Sequence, residues 1–232
     1  TTAFLLGLTL AEEYQRKVLI VDAAPAGGDL AARAFGSVGG GGQQWHTWAR
    51  QGFNLSALRW QLAGKDWGAA VLGADGQPQD GAQLLGTMIE SVTGKGWIVV
   101  VDAGSSAVGS PLLAAALETD AALVVTIPQR AEGANRARVF LSRFVRRFGP
   151  KAPKDVVVVV ADQDRGPASV FRAISNGLLG KVSSIVRLPN DPDLATGLEF
   201  SPSDLHERTT TALVSLVDAL SATKAASRRP AR

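Results

Sequence analysis

Four stretches of the chain are apolar with little polar interruption: Lys17–Ala23 (KVLIVDA), Trp97–Ala103 (WIVVVDA), Ala121–Ile127 (AALVVTI) and Asp155–Ala161 (DVVVVVA). Ser184–Leu188 (SIVRL) is a shorter fifth. Such β-branched runs, without polar alternation, suit parallel strands covered on both faces. Between them, helical spacing predicts helices over Leu84–Val92, Gly133–Phe148, Ala168–Leu179 and Ser203–Ala222. In the last of these, Leu213, Val214, Leu216, Val217 and Leu220 form a packing stripe. Thr1–Tyr14 also reads as a helix, with Leu5, Leu8 and Ala11-Glu12 three to four residues apart. Strands alternating with helices predict an α/β fold, a three-layer sandwich with a mainly parallel sheet. Right-handed crossovers then bring every strand's carboxyl end to one edge, where ligands bind in such folds.

Two regions break the pattern. Gly36–Gly42 (GSVGGGG) reads as a flexible spacer. Trp45–Gly81, with Trp45, Trp48, Trp60 and Trp67, reads as a subdomain or lid packed by tryptophans, or as a partner surface. We therefore expect one domain over residues 1–232, with an irregular Gly/Trp-rich subdomain at 37–81 and a basic, frayed tail at 221–232. A folded domain rarely opens inside a buried helix, so the expectation is a fragment with further sequence upstream of Thr1. Composition excludes several classes. At 46% hydrophobic and 19% charged, the chain is not wholly disordered. It has no cysteine, which removes disulfide scaffolds, zinc ribbons and thiol catalysis. Its two histidines, His46 and His206, are read as surface residues with no metal role. No apolar run reaches the roughly 18 residues of a membrane helix, and no signal peptide is read at the start. A cytoplasmic protein is the expectation. The net charge of +3 is too small to imply nucleic acid by itself.

The chemistry concentrates at two strand ends. Asp22 closes the first run and leads into Ala23-Ala24-Pro25-Ala26-Gly27-Gly28-Asp29-Leu30. A carboxylate followed by a Pro and Gly-Gly turn can set an acid beside a phosphate-bound Mg²⁺. Asp102 closes the second run and precedes Ala103-Gly104-Ser105-Ser106, which is the Walker B arrangement. Either aspartate alone reads more readily as a cap or turn residue. Two of them, about 80 residues apart in an α/β pattern, favour function.

These blocks carry a resemblance. The chain resembles the MinD/ParA group of P-loop ATPases, the deviant Walker A branch of the SIMIBI class. Thr1-Thr2-Ala3 looks like the end of that family's glycine-rich loop, where Gly-Lys-Thr-Thr opens a helix. Val18–Leu30 is similar to its Asp-x-Asp-Pro-x-Gly-Gly-Asp-Leu block, and the Asp102 strand to its Walker B strand. Asp120–Pro128 looks like the next strand. Val157–Asp162 matches the strand whose end holds the base-recognition turn, and Arg187–Pro192 is similar to the Pro-x-Asp turn over the adenine. The resemblance implies Mg²⁺ with ATP as cofactor, and a homodimer. It places Thr1, Asp22 and Asp102 around the Mg²⁺, Thr2 at the α-phosphate, and Asp162, Pro189, Asn190 and Asp191 near the adenine. Three departures stand out. The phosphate-cradling glycines and both lysines of the loop are not in this chain. Ala24 takes the place of the aspartate that positions the attacking water, so no catalytic residue is assigned; alanine neither orients water nor accepts a proton. Asp162 stands where the family often has Asn.

A basic stretch follows the third strand: Arg136, Arg138, Arg143, Arg146, Arg147, Lys151 and Lys154, uninterrupted by acids, with Val139, Phe140, Phe144 and Phe148 on the same helix. It reads as a solvated helix face with bases at its C-terminal end, or as a patch for DNA or an anionic membrane. The tail after Ser221 lacks bulky apolar residues, so no stable membrane anchor is expected. The function the resemblance implies is ATP-dependent spatial organisation: a nucleotide-driven dimer positioning a chromosome, plasmid, pilus or secretion machine through a protein partner. The alternatives are a non-hydrolysing scaffold similar to TadZ-like relatives, which Ala24 favours, and a non-specific DNA-binding partition factor.

Overall fold

The computed structural model describes residues 2–24, 30, 34, 44–58, 61–62, 65–66, 69–73, 80–104, 108–195 and 202–227. The Gly36–Gly42 spacer, Trp60 and Trp67 lie outside these residues. The chain divides into two compact units, Thr1–Ala121 with Thr196–Asp204, and Ala122–Ala195 with Leu205–Arg232.

The first unit holds helix α1 (Thr2–Glu12), strand β1 (Val18–Asp22), helix α2 (Trp45–Arg50), a two-residue antiparallel pair β2 (Gln61–Leu62) and β3 (Lys65–Asp66), strand β4 (Ala69–Leu72), helix α3 (Gly81–Thr93), strand β5 (Ile98–Asp102) and helix α4 (Pro111–Glu118). Its main sheet runs β4-β1-β5, all parallel. The central strand β1 is buried along its whole length, as its unbroken apolar run requires. Alternate residues serve opposite faces. Leu19 and Val21 join a core with Trp45, Trp48, Leu85, Met88 and Val92. On the other side Ile20 meets Gly7 of α1, where a Cβ would lie 2.5 Å from Ile20 Cγ1. Helices therefore cover both faces of this sheet. Trp45 and Trp48 are core residues at 1% and 0% exposure, and the Trp48 indole N–H donates to the Asn54 carbonyl at 3.0 Å. For these two tryptophans the packing reading is the one the structure supports. The sequence pattern missed α2, α4 and β4.

The second unit holds strand β6 (Leu123–Pro128), helix α5 (Ala131–Phe148), strand β7 (Val156–Ala161), helix α6 (Ala168–Leu178), strand β8 (Ser184–Leu188), helix α7 (Pro192–Ala195) and helix α8 (Glu207–Ser227). Its sheet runs β6-β7-β8, again all parallel, with Pro128 beside Ala161 and Ala161 beside Leu188. Val156–Val160 are buried, like β1. Helix α5 turns Gly133, Ala137, Leu141 and Phe144 inward, a spacing of three and four. Leu213, Leu216 and Val217 of α8 are buried, so the expected stripe forms. That helix starts at Glu207 rather than Ser203 and runs past Ala222 to Ser227. The start is set by Asp191, whose carboxylate accepts the His206 N–H at 3.1 Å and the Thr209 hydroxyl at 2.7 Å.

Candidate functional site

Strand pairing in the first unit sets Asp22 directly beside Asp102. Registered partners in a parallel sheet put their side chains on the same face, with strands about 4.8 Å apart. The Ala23 N–H donates to the Asp102 carbonyl at 2.8 Å, which extends the pairing past the strand ends. Both aspartates then turn the chain in the same way. Asp22 Oδ1 accepts the Ala24 N–H at 3.1 Å, and Asp102 Oδ1 accepts the Gly104 N–H at 2.8 Å. Asp22 is only 1% exposed, whereas Asp102 is half-buried.

Helix α1 brings a third element to this edge. Its 11 residues rise about 16 Å, and the 5 residues of β1 span about 16 Å. The two are joined by a short turn, and mid-helix Gly7 faces mid-strand Ile20. Thr2 therefore returns to the level of Asp22. The first turn of α1 carries no acidic residue, and its backbone N–H groups suit an anion. Thr1 lies outside the described residues. A buried carboxylate with a like charge one strand over is a hard, all-oxygen donor set for a divalent cation, so the residues present fit Mg²⁺ beside a phosphate.

The strand ends of the second unit are built differently. Asp162, just after β7, has a side chain 7% exposed. Its Oδ1 accepts the Gly166 N–H at 2.7 Å, and its Oδ2 pairs with Arg187 Nη2 at 2.9 Å. Arg187 Nε donates to Gln129 Oε1 at 2.9 Å, and its guanidinium lies 5.6 Å from the Phe171 ring centroid. Gln129 Nε2 in turn donates to the Gly166 carbonyl at 2.9 Å. Asp191 is 3% exposed, and besides holding the start of α8 it accepts the Asp193 N–H at 3.1 Å. Asn190 Nδ2 donates to the Gln163 carbonyl at 2.8 Å, and Pro189 is half-buried. Each of these carboxylates is thus occupied in holding its own loop. The sequence reading missed Gln129, Gly166 and Arg187. One signal was present: Arg187 is the lone charge in an apolar strand.

No family model matches this sequence, and no curated protein matches it. Solved structures do match its fold. A ParA family ATPase from Chlorobium tepidum superimposes with a TM-score of 0.65 at 15% identity, over 96% of this chain and 90% of that one. The ATP complex of a Cyanothece McdA variant gives 0.61 at 16%, over 95% and 90%. The MinC:MinD cell division complex of Aquifex aeolicus gives 0.59 at 16%, over 94% and 90%. The chain has the ParA/MinD fold.

In that fold, Ala24 is half-buried and its N–H is taken by Asp22, so a methyl group stands where the sequence reading looked for a second acid. Arg136, Arg138, Arg143, Arg146, Arg147, Lys151 and Lys154 are all exposed, and none has an ion-pair partner among the described residues. Arg147 also lies 5.6 Å from the Phe148 ring centroid. His206 is exposed, as expected. His46 is half-buried against Trp45, with Nδ1 buried and unpartnered among the described residues. Among the described residues no helix is long and apolar enough to cross a membrane.

Proposed function

We propose that the protein is a Mg²⁺-ATP-binding protein of the ParA/MinD type, acting as a nucleotide-dependent homodimer in spatial organisation of a chromosome, plasmid, secretion or pilus machine. The observation that carries this is the pairing of Asp22 with Asp102 at one sheet edge, with the start of α1 at the same level. Mg²⁺ would supply charge neutralisation at the phosphates. Asp22 and Asp102 hold the ion, with the Thr1 hydroxyl. Thr2 and the first N–H groups of α1 receive phosphate. Base contact at the Pro189–Asp191 turn and Asp162 falls to backbone groups and Pro189, because the carboxylates are engaged. The test is calorimetric titration of the full-length protein with ATP, with Mg²⁺ and with EDTA. Binding should require Mg²⁺, and Asp102→Asn should weaken the Mg²⁺-dependent binding. ATP binding that is equal in EDTA, or absent at millimolar nucleotide, overturns the proposal.

Ala24 favours a second reading, a scaffold that binds without turnover. Steady-state hydrolysis should be near background and rise in Ala24→Asp. Brisk turnover with Ala24 in place removes this reading. The unpaired bases of α5 and the following turn favour a DNA contact. Duplex affinity should fall with salt, with a log–log slope of about −0.9 per phosphate engaged. A slope near zero removes it.

A further inference from the structure

A cavity of about 300 Å³ opens at the carboxyl ends of β6 and β7, within the second unit. Gly166, Pro167 and Val170 give it an apolar wall, and Arg130 and Asp164 supply exposed charges. The wall is braced before any ligand arrives. Gln129 Nε2 donates to the carbonyls of Gly166 at 2.9 Å and Pro167 at 3.3 Å, and Asp162 accepts the Gly166 N–H. A Cβ at Gly166 would come within 3.2 Å of Gln129 Nε2, a tight contact that the Gln129 side chain would have to relax.

The two charged groups are only half used. Arg130 Nε and Nη2 both donate to Asp164 Oδ2. Among the described residues this leaves Nη1 of Arg130 and Oδ1 of Asp164 without partners. Asp162 also lines the cavity, but its charge is met by Arg187. A donor cation thus stands beside an acceptor anion, next to an apolar wall. A lone anion would face Asp164 and the nearby Glu132, and a lone cation would face Arg130. A zwitterion satisfies both.

We propose that this cavity binds a free α-amino acid with an apolar side chain, its carboxylate on Arg130 Nη1, its ammonium on Asp164 Oδ1 and its side chain against Pro167 and Val170. The site uses none of the Mg²⁺ or phosphate contacts of the nucleotide reading, but it shares Asp162 with the proposed base contact, so the test below separates the two. Calorimetry or ligand-observed NMR on the full-length protein would compare L-leucine, 4-methylpentanoate and isoamylamine. Leucine should bind, and each single-charge analogue should bind about 2- to 5-fold more weakly, the worth of one solvent-exposed charge pair. Arg130→Gln and Asp164→Asn should each weaken leucine by a similar factor; both residues are surface-exposed, so both variants should fold. No leucine binding at 20 mM, equal binding of an analogue, or binding untouched by both variants overturns the proposal. So does displacement of leucine by ATP, which would assign the cavity to the nucleotide.

Discussion

Arg187→Met removes the charge that faces buried Asp162 while keeping an unbranched stem over Phe171. Taking one member out of a fully buried ion pair costs about 3–5 kcal/mol, because the other charge is left uncompensated. Here the Arg187 side chain is 37% exposed and the Asp162 side chain 7%, so water recovers part of the loss, and about 2–3 kcal/mol is the working figure. Gln129 Oε1 also loses its donor, which adds about 1 kcal/mol. Sulfur over the Phe171 ring retains most of the stacking. The expected destabilisation is about 3–4 kcal/mol in total. In an Asp162→Asn background there is no charge to strand, and the Asn carbonyl can still accept the Gly166 N–H. There Arg187→Met should cost only about 1–1.5 kcal/mol, a coupling of about 2 kcal/mol in the double-mutant cycle.

The choice of probe matters. All five tryptophans fall in the first unit, between Trp45 and Trp97, so their fluorescence reports the wrong half of the chain. Denaturant unfolding followed by far-UV circular dichroism, together with hydrogen exchange of the β7 amides and of Gly166, reads the second unit. A coupling below about 0.5 kcal/mol would refute the account of Arg187 as the counter-charge of Asp162.

Gly7→Ala should destabilise by about 1–3 kcal/mol through the clash with Ile20, less up to about 1 kcal/mol of regained helix propensity. Adding Ile20→Val should recover part of the loss in thermal melts. Asp191→Ala removes the acceptor for the Asp193 and His206 N–H groups and the Thr209 hydroxyl. The expected loss is about 2 kcal/mol, with faster exchange of the first α8 amides, and Asp191→Asn should keep most of it. Arg50 donates a hydrogen bond to Asp80 and holds its carboxyl below the ordinary carboxylate range. A lowered folded-state value means the pair supports folding above the unfolded value and loses that support as pH falls through the lowered one. Arg50→Gln should return Asp80 to the ordinary range in an NMR titration.

Much of the fold was legible because it follows from composition along single strands. Val18–Asp22, Ile98–Asp102 and Val156–Ala161 are β-branched runs that only a two-sided parallel sheet buries. The elements that escaped notice lack such a signature. Ala69–Leu72 is four residues long and sits among glycines. Pro111–Glu118 opens on Pro and is alanine-rich, with a weak amphipathic pattern. Trp45 and Trp48 are spaced for a helix face, but the glycines around them masked it. At the strand ends, sequence located the acids and not their partners. Residues Gln129, Asp162 and Arg187 are each about 25 to 60 positions apart, and no local period encodes a contact of that range.

The same residue type at the same topological place has opposite consequences in the two units, and the neighbour one strand over decides which. Beside Asp22 stands Asp102, a like charge at the same level of the sheet. Two carboxylates at one level of a sheet offer oxygen ligands of the kind a divalent cation takes. Beside Asp162 stands Arg187, and the charge is closed internally with a hydrogen bond on each oxygen. An acid that already holds a guanidinium gains little from a metal, because the ion would have to displace a cation already in place. The proposed Mg²⁺ site is therefore placed at the edge where carboxylates face each other, and Asp162, braced by Arg187, is read as part of the frame.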